Sequence, residues 1–331
     1  MSSREGSFNK FLSHVYVERR ALDNPHTGEI LARLWRSEVI LIDHYKDIFN
    51  RGRQSYGMQS RARALILAVN DGELIYPGAP VCQAFGQKNF YYTASSMNCP
   101  FDCEYCFLKG MYSTANIVCF VNVEDYFAKI RELNDPYVCV SFDTDLIAMD
   151  SITGQASLWV EFASENPDVL IEMRTKSAPA ELRAVPNVIY AYTLSPEVIS
   201  ERFEHGAPPL RARLRSAVNA IDGGCNVRIC IDPMIYVSGW EEIYGGFADR
   251  LASELDLSRI RDVSIGTFRI SASYLKTIRR QEPYSEVCWF PCDTEDGYAV
   301  YPRTVRDDMR TFMRQRLERY ISGGKIYEDE R

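Results

Sequence analysis

Short apolar runs alternating with helical stretches constrain this chain more than any other feature. The runs are Asn89–Ser96, Asn116–Asn122, Tyr137–Asp143, Val169–Thr175, Val188–Ser195 and Asn226–Ile235, with Asp262–Arg269 as a seventh candidate. Between most of them lie segments with helical spacing: Glu124–Leu133, Ala156–Ser164, Leu210–Ile221 and Glu241–Leu255. Strand and helix in alternation call for parallel strands joined by crossover helices. Such a sheet curls into a full or partial barrel, or lies open and doubly wound. No G-x-G-x-x-G follows the first run, which removes the simplest dinucleotide site. With 331 residues, the chain can hold one α/β barrel with extensions or two domains.

Ahead of the alternation, residues 1–70 read as mainly helical, with "EILARLWRSEVILIDHYKDIFNR" carrying helical apolar spacing, and Asn70–Pro80 reads as turns. The first twenty residues lack a signal-peptide apolar region and suit an amphipathic first helix. No apolar stretch reaches membrane-spanning length, so a cytoplasmic protein without a membrane partner is expected. Ten cysteines in a chain of this length are too few for a disulfide scaffold. In a reducing compartment they serve as buried thiols, metal ligands or catalytic groups. The net charge of −7 argues against a broadly basic nucleic-acid binder while leaving room for a local basic groove.

Three of those cysteines stand together in "MNCPFDCEYCFLKG" (Met97–Gly110), directly after the first run of the alternation. Cys99, Cys103 and Cys106 form C-x3-C-x2-C, with Tyr105 just before the third. In α/β barrels the chemistry sits on loops after strand ends, so the position suits a site. Thiolates bind zinc or iron–sulfur clusters. A structural zinc site wants a fourth ligand, yet the other cysteines form no C-x2-C and the four histidines are isolated. Three close thiols without a fourth suit a [4Fe–4S] cluster with one iron open, and zinc or a structural cluster remains the alternative.

The array resembles that of radical S-adenosylmethionine (SAM) enzymes. Over roughly residues 60–325 the chain is similar to one subfamily, the spore photoproduct lyases. The likeness runs through "CEYCFL", "NIVCFVNVEDYF", "DTDLIAMD" (Asp143–Asp150), "RTK" (Arg174–Lys176), "LSPEVISERFEHGAPPLRARLRSAV" and "IDPMIYVSGWEEIY", in order. It implies an α/β fold, a partial (β/α)6 barrel of the radical SAM type over 76–285. A mainly helical region over 1–75 would precede it, and a hairpin and helix over 286–331 would follow. It implies a [4Fe–4S] cluster held by Cys99, Cys103 and Cys106, with SAM on the open iron. Reductive SAM cleavage would give a 5′-deoxyadenosyl radical that opens a thymine photolesion in DNA, a carbon–carbon lyase reaction. A reducing partner such as flavodoxin or ferredoxin would feed the cluster. Lys176 would face the SAM carboxylate, Thr144 and Ser195 would place hydroxyls near SAM, and Tyr105, counted among the catalytic residues too, would pack near the adenine.

Three departures from that family stand out. Its hydrogen-donating cysteine falls at Phe142. Cys139, three residues earlier on the same run, should point to the opposite face. The tyrosine after the third cluster cysteine is Phe107. The basic, aromatic hairpin that the family places into DNA corresponds to "CWFPCDTEDGYAVYPR" (Cys288–Arg303), where Asp293, Glu295 and Asp296 would repel phosphates. Arginine groups at 51, 53, 61 and 63, at 211, 213 and 215, at 279 and 280, and at 303, 306 and 310 read as solvated faces. Two other functions stay open: a radical SAM enzyme with a non-DNA substrate, and a non-catalytic iron–sulfur protein.

Overall fold

The computed structural model describes residues 12–78 and 82–328. Eight strands form a curled sheet in the order Ile326–Glu328, Asp262–Thr267, Asn226–Met234, Val188–Thr193, Leu170–Thr175, Tyr137–Cys139, Phe90–Tyr92 and Tyr76–Pro77. From Phe90–Tyr92 to Asp262–Thr267, each strand lies parallel to the one that precedes it in this sheet. A doubly wound sheet would reverse direction of progression part-way, so this single progression selects the half-barrel. The helices Gln155–Glu165, Leu210–Asp222 and Trp240–Glu254 fall close to where helical spacing places them.

Side-chain alternation along the strands explains the interior. Leu170–Thr175 reads apolar and charged in turn. Ile171 and Met173 are fully buried in the main apolar core, whereas Glu172 and Arg174 share the other face. There Glu172 accepts from Tyr137 and Arg228, and Arg228 also pairs with Asp262. Arg174 Nε donates to Glu172 at 2.5 Å. Burial would raise the Glu172 carboxyl, but Arg174 and Arg228 outweigh it and hold it at about 2. A layer of paired charges therefore fills the bottom of the half-barrel, because a buried charge persists only with a partner.

The amino-terminal region differs from expectation. It is not mainly helical: His14–Glu18, Glu38–Ile42 and Leu65–Ala68 are parallel strands of a second sheet. The long helix expected from residue 29 onward breaks into Pro25–Arg33, capped by Asn24, then the strand EVILI, then the short helix Lys46–Phe49. Three β-branched residues in five favour a strand, and an apolar run this dense satisfies both periods at once. The expected amphipathic first helix falls partly on residues 1–11, outside the described residues, and its end is the His14–Glu18 strand.

Ile117–Phe120 also changes place. It pairs with Leu65–Ala68 in the second sheet and not in the half-barrel. Residues 93–96 seam the two sheets: Thr93 N–H donates to Cys139 O and Phe120 N–H to Ser95 O, both at 3.0 Å. The cysteine loop starts at that seam. Among the described residues no helix is long and apolar enough to cross a membrane.

Candidate active site

The cysteine loop is held from several sides. Asn98 sits at φ 74°, a left-handed position that Asn tolerates, and its buried amide donates to Thr114 O at 2.7 Å and Asn116 O at 2.9 Å. Asp102–Cys103 pairs antiparallel with Glu204–His205. Arg63 donates to the carbonyls of Pro100 and Phe101. Cys106 opens the helix Phe107–Met111. That helix packs tightly on Ala272–Gln281: a Cβ on Gly110 would lie 2.4 Å from Tyr274 Cβ, so only glycine fits.

Cys99, Cys103 and Cys106 all line one cavity of about 600 Å³. Burial pushes all three thiols up, Cys103 to about 12, while Lys176 pulls Cys103 and Cys106 back. Among the described residues no three His, Cys, Asp or Glu side chains converge on a single-ion site. A cluster seats each thiolate on a different iron, so it does not need that convergence. The three thiols on one wall of a cofactor-sized cavity, with no further cysteine or histidine completing a tetrahedral set, fit a cluster with an open position.

Glu204 organises the next wall. It is buried, accepts from Tyr105 Oη and from Ser195 Oγ at 2.9 Å, and lies 2.6 Å from Arg213 and 3.8 Å from Lys176 Nζ. Burial would raise its carboxyl, but Lys176 and Arg213 hold it at about 2. Lys176 Nζ also sits 5.6 Å from the centre of the Tyr105 ring. Lys176, Tyr105 and Thr144 line the cavity, whereas Ser195 does not and spends its hydroxyl on Glu204. Tyr105 likewise gives its hydroxyl to Glu204, so what it offers the cavity is its ring. Thr144 Oγ1 is buried without a hydrogen-bond partner. Such a group costs about 1–3 kcal/mol unless something bonds to it, and its place on the cavity wall fits a polar ligand such as SAM. Asp145 beside it caps the helix Leu146–Thr153 and accepts from Thr175 Oγ1 and Lys176 N–H.

The sequence profile of the spore photoproduct lyases matches residues 88–327. The chain belongs to that family. It is 22% identical over 330 residues to the spore photoproduct lyase of Bacillus subtilis (strain 168), covering 93% of this chain and 94% of that one. The spore photoproduct lyase of Geobacillus sp. (strain Y412MC61) is 23% identical over 243 residues, covering 70% of this chain and 66% of that one. A spore photoproduct lyase structure complexed with dinucleoside spore photoproduct superposes with a TM-score of 0.80 at 18% identity, covering 96% and 98% of the two chains. A double variant with bound AdoMet and the same dinucleoside gives 0.79 at 17%, with the same coverage. These likenesses show the half-barrel fold of the radical SAM type.

Within this spore photoproduct lyase family member, two of the three sequence departures, Phe107 and Phe142, lie at the cavity. Phe142 lines it, 4.4 Å from the Tyr92 ring and 5.6 Å from Phe107. Cys139 lines it as well, against the expectation of an opposite face. The alternation rule stops applying because the strand ends at Cys139 and the chain bends at Val140. Cys82, which no sequence motif marks, is a second non-cluster thiol lining the same cavity. The carboxy-terminal hairpin Asp293–Glu295/Tyr298–Val300 adds Arg269–Ser271 as a third strand, and Tyr298 reaches the cavity. Glu295 is paired with Arg306, which softens the acidic face. Arg306 and Arg213 are buried and paired, not solvated as their clusters suggested. Arg269 binds Asp232 through two bonds at 2.7 and 3.0 Å, and both residues line the cavity.

Proposed function

We propose that this protein is a radical SAM lyase acting on a thymine photolesion in DNA. The observation that carries the reading is one cavity that joins three cluster-spaced thiols, a lysine, an unpartnered threonine hydroxyl and an aromatic wall. Cys99, Cys103 and Cys106 would hold a [4Fe–4S] cluster, and Lys176, Thr144 and the Tyr105 ring would hold SAM. Bound there, the cluster and SAM supply a 5′-deoxyadenosyl radical. The protein orients the reactants and keeps water out. Glu204 fixes Lys176 and Tyr105, and Arg213 balances its charge. Tyr92, Phe107 and Phe142 form an aromatic surface on which a pyrimidine ring can stack.

Return of a hydrogen atom to the opened lesion needs a donor, and Phe142 has no weak X–H bond to give. Cys82 and Cys139 do, since a thiol S–H bond is weaker than the methyl C–H bond that forms. In our reading one of these two thiols gives its hydrogen atom to the product radical, and the thiyl radical left behind returns to the thiol by taking one electron from the reductant and one proton from water. The direct test incubates the cluster-loaded, dithionite-reduced protein with SAM and a dinucleoside spore photoproduct. Release of the paired thymidine product supports the reading. SAM cleavage with an untouched dinucleoside would instead favour a radical SAM enzyme with a different substrate.

A further inference from the structure

Residues 50–63 hold four arginines and no acidic residue, in a chain whose net charge is −7. Arg51, Arg53 and Arg61 are exposed and make no ion pair or hydrogen bond among the described residues. Met58, in the short helix between them, is 75% exposed. This strap is anchored from beneath to the cysteine loop. Arg63 donates to the carbonyls of Pro100 and Phe101, between the first two cluster cysteines. Gln59 Oε1 accepts from Thr114 Oγ1 at 2.9 Å and Ala115 N–H at 3.2 Å, just beyond the loop's helix. Tyr56 is buried, with its ring centre 5.7 Å from Lys109 Nζ. None of residues 50–63 lines the cavity, so the strap meets the cysteine loop from outside.

We propose that this strap is the docking face for an acidic one-electron carrier protein, a flavin or iron–sulfur protein that reduces the cluster. The inference rests on the function proposed above. The cavity side of the cysteine loop is the side that SAM and substrate would occupy, which leaves the loop's outer side, where the strap packs, for electron entry. Unpartnered arginines steer a negatively charged partner and speed encounter in a salt-dependent way, and one exposed methionine supplies an adaptable apolar contact. One electron leaves the carrier and one enters the cluster; no bond forms or breaks. The other negative macromolecule, DNA, is less suited, because the base must enter the cavity, and the strap lies off its lining.

The test uses the cluster-loaded enzyme, a bacterial flavodoxin in its hydroquinone form, and the triple variant Arg51→Glu/Arg53→Glu/Arg61→Glu. Stopped-flow bleaching of the cluster and flavodoxin binding are followed at low and high salt. The expected result is that flavodoxin-driven reduction of the wild type slows with salt and falls about tenfold or more in the variant. Reduction by dithionite, and dithionite-driven turnover of lesion DNA, should stay within about twofold. The proposal is overturned if flavodoxin reduces both forms alike, or reduces neither. Loss of lesion-DNA affinity in the variant would also overturn it and assign the strap to nucleic acid. A chain that carries no dithionite-reducible cluster would instead sink the functional reading itself.

Discussion

Glu204→Gln removes one negative charge from a buried group of five side chains. Arg213 is fully buried 2.6 Å from that carboxylate, and Lys176 lies 3.8 Å away, mostly buried. Breaking a buried pair by deleting one partner's charge costs about 3–5 kcal/mol. Glutamine keeps an oxygen for Tyr105 and Ser195, which places the loss near the lower figure. In a chain of this length each kcal/mol moves Tm by about 1.5 °C, so differential scanning calorimetry of the variant should show a fall of about 4–5 °C. The pH dependence has a definite sign. The Glu204 carboxyl is held at about 2, below its ordinary 4.5. Its contribution is therefore present above pH 4.5 and is lost as pH falls toward 2. The gap between wild type and variant should narrow across that window. A variant that melts with the wild type at pH 7, or a gap that widens on acidification, would refute the claim that Glu204 balances Lys176 and Arg213.

Other expectations follow from the same geometry. Thr144→Val removes a buried hydroxyl that has no partner in the protein, so the protein without SAM should melt no lower than wild type, while SAM binding by calorimetry weakens about tenfold. Turnover in D2O should place solvent deuterium in the thymine methyl group, because thiol hydrogens exchange with water. Cys82→Ala/Cys139→Ala should abolish that label, and its persistence would remove both thiols from the reaction. Asp143, raised to about 6 by burial although Tyr112 donates to it, contributes stability below pH 3.8 that is lost as pH rises through 6. Asp143→Asn should therefore gain up to about 3 kcal/mol over wild type at pH 7.5 in denaturant titration, with the gain vanishing near pH 4.

The half-barrel was legible because long parallel strands buried on both faces leave unmistakable runs, as Val188–Thr193 does with every residue buried. The cysteine loop was legible because its chemistry lies in local spacing. The amino-terminal sheet was not, since EVILI satisfies a helical and a strand period equally. Glu204 was missed for a related reason. It stands in a two-residue strand beside the cysteine loop, and only the fold brings Lys176, Arg213, Tyr105 and Ser195 around it. Cys82 and Cys139 share the cavity through a bend and a loop, features without periodicity. Ser195 illustrates the converse. Its position in the chain resembled a cofactor hydroxyl, but its partner is a carboxylate of the protein.

The most direct measurement of the whole account is 5′-deoxyadenosine formed from SAM by the anaerobically cluster-loaded, reduced protein, with and without UV-irradiated DNA that contains the lesion. The account predicts formation that damaged DNA stimulates, together with recovered thymine. Formation indifferent to damaged DNA would contradict the assigned substrate, and no formation at all would contradict the radical chemistry assigned to Cys99, Cys103 and Cys106.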